Sequence, residues 1–325
     1  MPDAMRTLRF ACLAAICLAG NLMTACAPAA AGTHTAADAP AVSVTPTLNA
    51  TRASTITFTP THTSTATPTP TPSPSPTPTP TLAPPQPTPD AEAQNRRVRL
   101  PILMYHYVEP LPAEAGDLRR GLTVTPEDFT AQMQYLADNG YVTVSLYELA
   151  EALALGRPLP EKAVVLTFDD GYRSLLDYAV PAMQRHAFTG TVFVITEFAD
   201  RELPQYLTWP QLRELAARGW RIEPHGKTHT PLAGADRDKQ IYEMLGSIES
   251  IEAHIGARPR FFCYPSGKFD ELTLQLAQEL HLWGAVTTRG GRQHRYADRF
   301  AWARVRVDGR GTLADFVNAL EGDLK

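Results

Sequence analysis

Ala163-Val164-Val165-Leu166-Thr167-Phe168, followed without a break by Asp169-Asp170-Gly171-Tyr172, is the stretch that decides the fold. Six residues with no polar alternation read as a strand buried on both faces, which is the signature of a parallel sheet covered by helices. The pattern repeats outward in both directions. Upstream, Pro101–Tyr105 and Val142–Leu146 read as strands and Leu146–Leu155 as a helix ended by Gly156. Thr125-Pro126-Glu127-Asp128 is a helix start, with Thr as cap, Pro in the first position and acid in the first turn. Downstream, strands are expected at Thr191–Thr196, Trp220–Glu223, Phe261–Tyr264, Ala285–Thr287 and Ala303–Val307. Helices are expected at Leu175–His186, Pro210–Arg218, Asp236–Ile255, Leu272–Leu280 and Leu313–Leu320. Repeated strand–helix units imply an α/β fold with parallel strands, and this many units in one domain favour a barrel over an open sheet.

The rest of the chain is of another kind. Fifteen of the 29 prolines lie between Ala27 and Asp90, a stretch with one aromatic, Phe58. Such a segment cannot bury enough apolar surface to offset the entropy of ordering. Its Thr67–Thr81 run of alternating proline favours extended polyproline II, at about 3.1 Å per residue. Ahead of it, Arg6 and Arg9 precede the apolar run Phe10–Ala19, as in a secretory signal peptide. Leu22-Met23-Thr24-Ala25-Cys26 is similar to a bacterial lipobox, in which the cysteine is lipidated and becomes the first residue. The expected organisation is a signal peptide over 1–25, a linker over 26–97 and one folded domain over 98–325. The mature protein is expected outside the cell membrane, tethered through Cys26 and monomeric. A net charge of −4 gives no electrostatic footprint for nucleic acid. No apolar run reaches the roughly 20 residues of a membrane span. Four cysteines, two of them in the signal segment, rule out a disulfide scaffold.

In α/β folds, chemistry gathers where strands end. Asp169 and Asp170 follow the buried strand directly, and adjacent carboxylates repel unless a cation or a proton intervenes. One of them as a helix cap and the other solvated is the plainer alternative. His225-Gly226-Lys227-Thr228-His229 follows another strand, with two imidazoles that a compact loop would bring to one cation. Asp170, His225 and His229 together would give two nitrogens and one oxygen with positions left open. That set suits a catalytic Zn²⁺ site, and Mn²⁺, Co²⁺ or Ni²⁺ also fit it. Asp169 would then be free to take a proton from water. Cys263-Tyr264-Pro265-Ser266-Gly267 shapes a loop whose backbone N–H could face the site.

These segments, in this order, resemble the polysaccharide deacetylases with a NodB-homology domain, carbohydrate esterase family 4. Leu166–Tyr172 is similar to the first family motif, His225–His229 to the second and Tyr264–Gly267 to the third. Pro101–His106 and Leu207-Thr208-Trp209 resemble the branch near the poly-β-1,6-N-acetylglucosamine deacetylases. The resemblance implies a distorted (β/α) barrel of about seven strands. It implies Asp169 as catalytic base, Asp170, His225 and His229 as metal ligands, and the Ser266 N–H as an oxyanion donor. His106, Tyr172, Tyr264 and Pro265 are then expected to line the substrate groove. The substrate it implies is an N-acetylated polysaccharide, most simply one of N-acetylglucosamine, and the products are acetate and a free amine. There are departures. Gly226 stands in place of a Ser or Thr that braces the second motif, and Cys263 in place of an arginine that orients the catalytic aspartate. Arg304 and Arg306 are candidates to supply that arginine. The late motifs, with an Asp-Trp pair and a histidine acid, are not recognisable, which leaves His281 and His294 as C-terminal candidates for the acid. A sugar-binding pseudoenzyme and a polysaccharide O-acetyl esterase are the alternative readings.

Overall fold

The computed structural model describes residues 85–322. The expected signal segment, Cys26 and the expected linker as far as residue 84 lie outside the described residues. Among those described, no helix is long and apolar enough to cross a membrane.

Seven parallel strands form the core: β1 (Ile102–Tyr105), β2 (Ala163–Phe168), β3 (Thr191–Val194), β4 (Arg221–Pro224), β5 (Phe261–Cys263), β6 (Gly284–Gly290) and β7 (Trp302–Arg306). Their order is β4-β3-β2-β1-β7-β6-β5. This is a nearly closed barrel, in agreement with the expectation from sequence. Successive residues take opposite sides, as a pleated strand requires. Ile102, Val165, Phe193, Phe261, Val286 and Trp302 share one buried cluster, while Leu103, Leu166, Val192 and Val305 belong to a second that includes helix residues.

No ladder joins β4 to β5, and side chains bridge that seam instead. The buried Glu223 carboxylate on β4 accepts the Arg260 and Phe261 N–H groups at 3.0 and 2.9 Å, and the Tyr147 hydroxyl at 2.9 Å. These amides would otherwise be unpaired donors on a strand edge. Burial pushes Glu223 up to about 7, despite the donors that favour its charged form.

The helices start where their caps say. Thr125 accepts the Asp128 N–H and opens α1 (Pro126–Asp138). Ser145 and Glu148 form a reciprocal capping box at the head of α2 (Leu146–Leu155), which Gly156 ends in the left-handed region. That cap cuts the strand expected over Val142–Leu146 to Val142–Thr143. Pro210 and Gln211 lie in the first turn of α3 (Trp209–Ala217), and Asp236 caps α4 (Arg237–Ile255). α5 (Glu271–Glu279) and α6 (Leu313–Glu321) are the C-terminal helices. The helix expected over Leu175–His186 opens instead as a π-turn, Leu175–Ala179, before continuing as Val180–Gln184. Pro181 explains it, because proline has no N–H to donate and its ring clashes with the carbonyl four residues back.

Packed structure begins ahead of Val98. Ala93 is fully buried with Leu153 and Ala154, and Arg96 donates to both of their carbonyls at 3.3 and 3.1 Å. Arg97–Arg99 then pairs antiparallel with Gln293–Arg295. A single small apolar residue among polar ones carries no periodic signal, so this segment did not announce itself.

Candidate active site

The register places the chemistry. Tyr105 pairs with Phe168, so His106 and Asp169 leave neighbouring strand ends side by side. Val194 pairs with Pro224, which delivers His225 next to the same end of the barrel. All three loops carry a non-glycine residue in the left-handed region: Asp170 at φ 69°, His229 at φ 64° and Ser266 at φ 55°. Strain of this kind is held only where surrounding structure over-determines it, and it clusters at functional sites.

Asp169 and Asp170 are adjacent in the chain and opposite in environment. Asp169 is buried and forked by Arg304, whose two terminal nitrogens donate to Oδ1 and Oδ2 at 2.7 Å each. Burial alone would raise the Asp169 carboxyl, but the guanidinium outweighs it and holds the group well below the usual carboxylate range. Arg304 is itself fixed by the Thr167 hydroxyl at 3.0 Å, the Thr287 carbonyl at 2.9 Å and the Cys263 sulfur at 3.2 Å. Burial pushes the Cys263 thiol up, so it stays neutral and donates toward Asp169 at 3.7 Å. Of the two candidate arginines, Arg304 is therefore the one on Asp169. Arg306 is exposed and lines a separate cleft with Gln132 and Phe316.

Asp170 has a different set of neighbours. Nε2 of His225 and Nε2 of His229 each lie 3.4 Å from its Oδ1, and that oxygen is buried with no hydrogen-bond donor. Nδ1 of His225 sits 2.7 Å from the Cys263 carbonyl, which can only accept. Nδ1 must therefore carry the hydrogen, which turns the Nε2 lone pair toward Asp170 in the neutral ring. One orphaned carboxylate oxygen and two imidazole nitrogens, all within 4.8 Å, fit a divalent cation. Asp169, His225 and Cys263 also lie within 4.8 Å of one another. That second group does not fit, because Arg304 occupies both Asp169 oxygens and the Cys263 carbonyl occupies Nδ1 of His225.

Glu243 on α4 holds the second loop, and sequence reasoning missed it. Its carboxylate accepts the Lys227 and Thr228 N–H groups at 2.9 and 2.8 Å, the Thr228 hydroxyl, and Lys239 at 2.7 Å. Burial would raise Glu243, but the Lys239 and Thr228 bonds outweigh it and hold the group below its ordinary value. A side chain at Gly226 would put its Cβ 3.1 Å from Glu243 and 3.3 Å from Pro265, in a backbone at φ 78°. Glycine thus lets a carboxylate from a distant helix do the bracing that a local hydroxyl would do.

The remaining expected residues divide. His106 is partly buried, with Nε2 3.8 Å from Asp169 Oδ2, and burial lowers its basicity. Tyr172 lies on the wall of an adjoining cavity. Pro265 is buried against Gly226. Tyr264 does not line a groove. It is fully buried, donates to the Phe300 carbonyl at 2.9 Å and stacks on Phe269, because it follows β5 on the same side as Phe262, which faces the helices. His294 and His281 lie at the wrong end of the barrel. His294 is bonded at 2.8 Å to the carbonyl of Leu100, ahead of β1, and burial pushes it down to about 4. The His281 carbonyl accepts from Arg260, ahead of β5.

Comparison with known proteins agrees with this geometry. Residues 156–284 match the family model described as polysaccharide deacetylase. A candidate polysaccharide deacetylase of Bacillus subtilis, YxkH, is 32% identical over 209 residues, covering 64% of this chain and 71% of that protein. The Escherichia coli poly-β-1,6-N-acetyl-D-glucosamine N-deacetylase is 36% identical over 129 residues, covering 35% of this chain and 18% of that longer protein. Among solved structures, the Streptococcus pyogenes deacetylase PplD, in complex with acetate, superposes with a TM-score of 0.65 at 28% identity. It covers 70% of this chain and 100% of its own. Motifs, barrel and relatives converge, and the chain belongs to the polysaccharide deacetylase family of deacetylating hydrolases.

Proposed function

We propose that this protein is a metal-dependent hydrolase that removes N-acetyl groups from an N-acetylglucosamine-containing polysaccharide and releases acetate. The observation that carries the proposal is the division of labour between Asp169 and Asp170: one carboxylate pinned in its charged form by Arg304, the next orphaned between two imidazoles. Asp170, His225 and His229 would hold the cation, most simply Zn²⁺, which when bound polarises the acetamide carbonyl and acidifies water.

Asp169 takes the proton of the attacking water. Held low by Arg304, it is a poor store for that proton and passes it on. His106, across a gap of 3.8 Å, is the next acceptor and the donor to the leaving amine. The positive φ of Ser266 turns the third loop so that its N–H can serve the oxyanion. Tyr172 and Pro265 shape the walls.

The same proposal extends to location. The protein is exported, cleaved before Cys26, lipidated there and held as a monomer on the outer face of the cell membrane, with residues 26–97 as spacer. Loss of fatty-acid labelling in Cys26→Ser would support that anchor, and unchanged labelling would remove it.

The test of the reaction is acetate release from N-acetylglucosamine oligomers by the purified protein with Zn²⁺, with chelator, and in Asp169→Asn. Release that needs both the metal and Asp169 is expected. Metal binding without release would make the protein a sugar-binding pseudoenzyme. Release from O-acetylated polymer alone would change the bond that is cleaved.

A further inference from the structure

We infer that Lys227, Asp200 and Trp209 are positioning residues that fix the second loop against the first, and so set the spacing of Asp170 from His225 and His229. The inference rests on the metal site proposed above and names what holds its donors in place. The sheet alone does not set that spacing. Asp170 follows β2 and His225 follows β4, with β3 between them, so no ladder joins the two loops directly. Both loops also carry a strained residue, Asp170 at φ 69° and His229 at φ 64°, which the surroundings must hold.

The connection that follows β3 does the holding. The Thr196 and Glu197 N–H groups, in the short helix Thr196–Asp200, donate to the Gly226 and Lys227 carbonyls at 3.3 and 2.9 Å. Farther along the same connection, the Leu207 N–H donates to the Gly171 carbonyl at 2.8 Å. One segment thus fastens the second loop near its start and the first loop near its end. Two residues after Leu207, Trp209 opens α3. Its indole N–H donates to Asp200 Oδ1 at 2.9 Å, which draws the end of the segment back onto the short helix. The indole is itself fixed by stacking on His254 of α4, with ring centroids 4.3 Å apart and planes within 8° of parallel.

Lys227 completes the connection from the other side. Its ammonium donates to Asp200 Oδ2 at 3.5 Å and to the Ser250 hydroxyl at 3.3 Å. Its stem lies across α4, where a Cβ on Gly246 would stand 3.3 Å from Lys227 Cδ. Lys227 sits between the two histidines in the chain, so what holds its side chain bears on both of them. The Asp200 carboxylate therefore ties the second loop to Trp209, two residues from the bond that holds Gly171. The Lys227 and Asp200 side chains are 21% and 32% exposed, and an ion pair that open to solvent adds little to stability. Its effect is on position: donors that are already spaced for a cation give up less freedom when the cation binds.

The test is the Zn²⁺ affinity of the purified protein, measured by competition with a chromophoric chelator. Lys227→Met and Asp200→Ala should each lower it about 10-fold. The double variant should lose little beyond the larger single loss, because both changes cut one connection. Lys227→Arg, which keeps a long cation, should stay within about 2-fold of wild type. Trp209→Phe, which keeps a ring over His254 and loses the indole N–H, should fall in the same direction as Asp200→Ala. The Tm of metal-free Lys227→Met should change by under about 2 °C, which separates positioning from folding. Unchanged Zn²⁺ affinity in both single variants, losses that multiply in the double variant, or losses that track a falling Tm would overturn the inference. Failure of the deacetylase reading looks different: the wild-type protein would bind Zn²⁺ and release no acetate from N-acetylglucosamine oligomers, with the affinity differences still in place. A wild-type protein that binds no Zn²⁺ would overturn both.

Discussion

Replacing Arg304 by Met tests whether the ion pair is what holds the Asp169 carboxylate in its charged form. The arginine side chain is fully buried, and each of its terminal nitrogens reaches one Asp169 oxygen at 2.7 Å. Without it, Asp169 keeps a neutral thiol at 3.7 Å and an imidazole at 3.8 Å, neither of which offsets a buried charge. Breaking a buried pair from one side costs about 3–5 kcal/mol, against a total stability of about 5–15 kcal/mol. For a domain of this size that is a fall in Tm of roughly 6–20 °C. Asp169→Asn alone should also destabilise, because it leaves the guanidinium buried and unpaired. The double variant removes both charges. It should therefore be more stable than the sum of the single losses predicts, by about 2 kcal/mol or more. Urea unfolding of the four proteins reads this directly, with the exposed Arg306→Ala as a control expected to shift by under about 0.5 kcal/mol. Strictly additive losses, or an Arg304→Met variant within about 1 kcal/mol of wild type, would refute the reasoning.

Three further outcomes are expected. Glu243→Gln should loosen the second loop and lower Zn²⁺ affinity about 10–100-fold in competition with a chromophoric chelator, because the carboxylate holds Lys227 and Thr228, which lie between the two histidines proposed as ligands. His106→Asn should lower kcat about 100-fold with metal content unchanged, and an unaffected kcat would move the proton donor elsewhere. Glu223, raised to about 7 from 4.5, binds its proton more tightly in the folded state, so its stabilising contribution is complete below pH 4.5 and is lost as pH rises through about 7. Glu223→Gln should consequently gain on wild type by roughly 3 kcal/mol between pH 4.5 and 8 in denaturant unfolding, and parallel stability–pH curves would count against it.

The barrel was legible because its signals are local. The unbroken β2 strand, the Thr125 cap and the Gly156 stop each depend on a few consecutive residues, whereas the Ser145 cap was read as part of a strand. The candidate triad of Asp170, His225 and His229 was legible for the same reason, since two short motifs carry it whole. What escaped depends on contacts between segments far apart in sequence. Glu243 reads as one more polar residue on a long helix, and only the packing of α4 beside β4 turns it toward Lys227 and Thr228. Glu223 looks like an ordinary strand residue, and only the missing β4–β5 ladder gives its carboxylate two amides to satisfy. Tyr264 misled in the other direction. A motif names a loop, whereas strand alternation decides which of its side chains face the groove, and Tyr264 falls on the helix side with Phe262.

The Cys263–Arg304 arrangement shows how the barrel brings a buried cation to Asp169 from a strand that is not its neighbour. Cys263 on β5 pairs with Val286 on β6, which pairs in turn with Trp302 on β7. Arg304 is two residues beyond Trp302, so it shares that residue's side of the strand and lies one step nearer the catalytic end. From there its guanidinium crosses to Asp169, directly after β2, two strands away around the wall by way of β1. The small Cys263 side chain leaves room for that crossing, with its sulfur 3.2 Å from the guanidinium. A large cation on β5 would compete for the same volume and place like charges together in a buried site. One guanidinium per carboxylate is what the interior can hold. Here β7 provides it, and Cys263 on β5 keeps the facing position small.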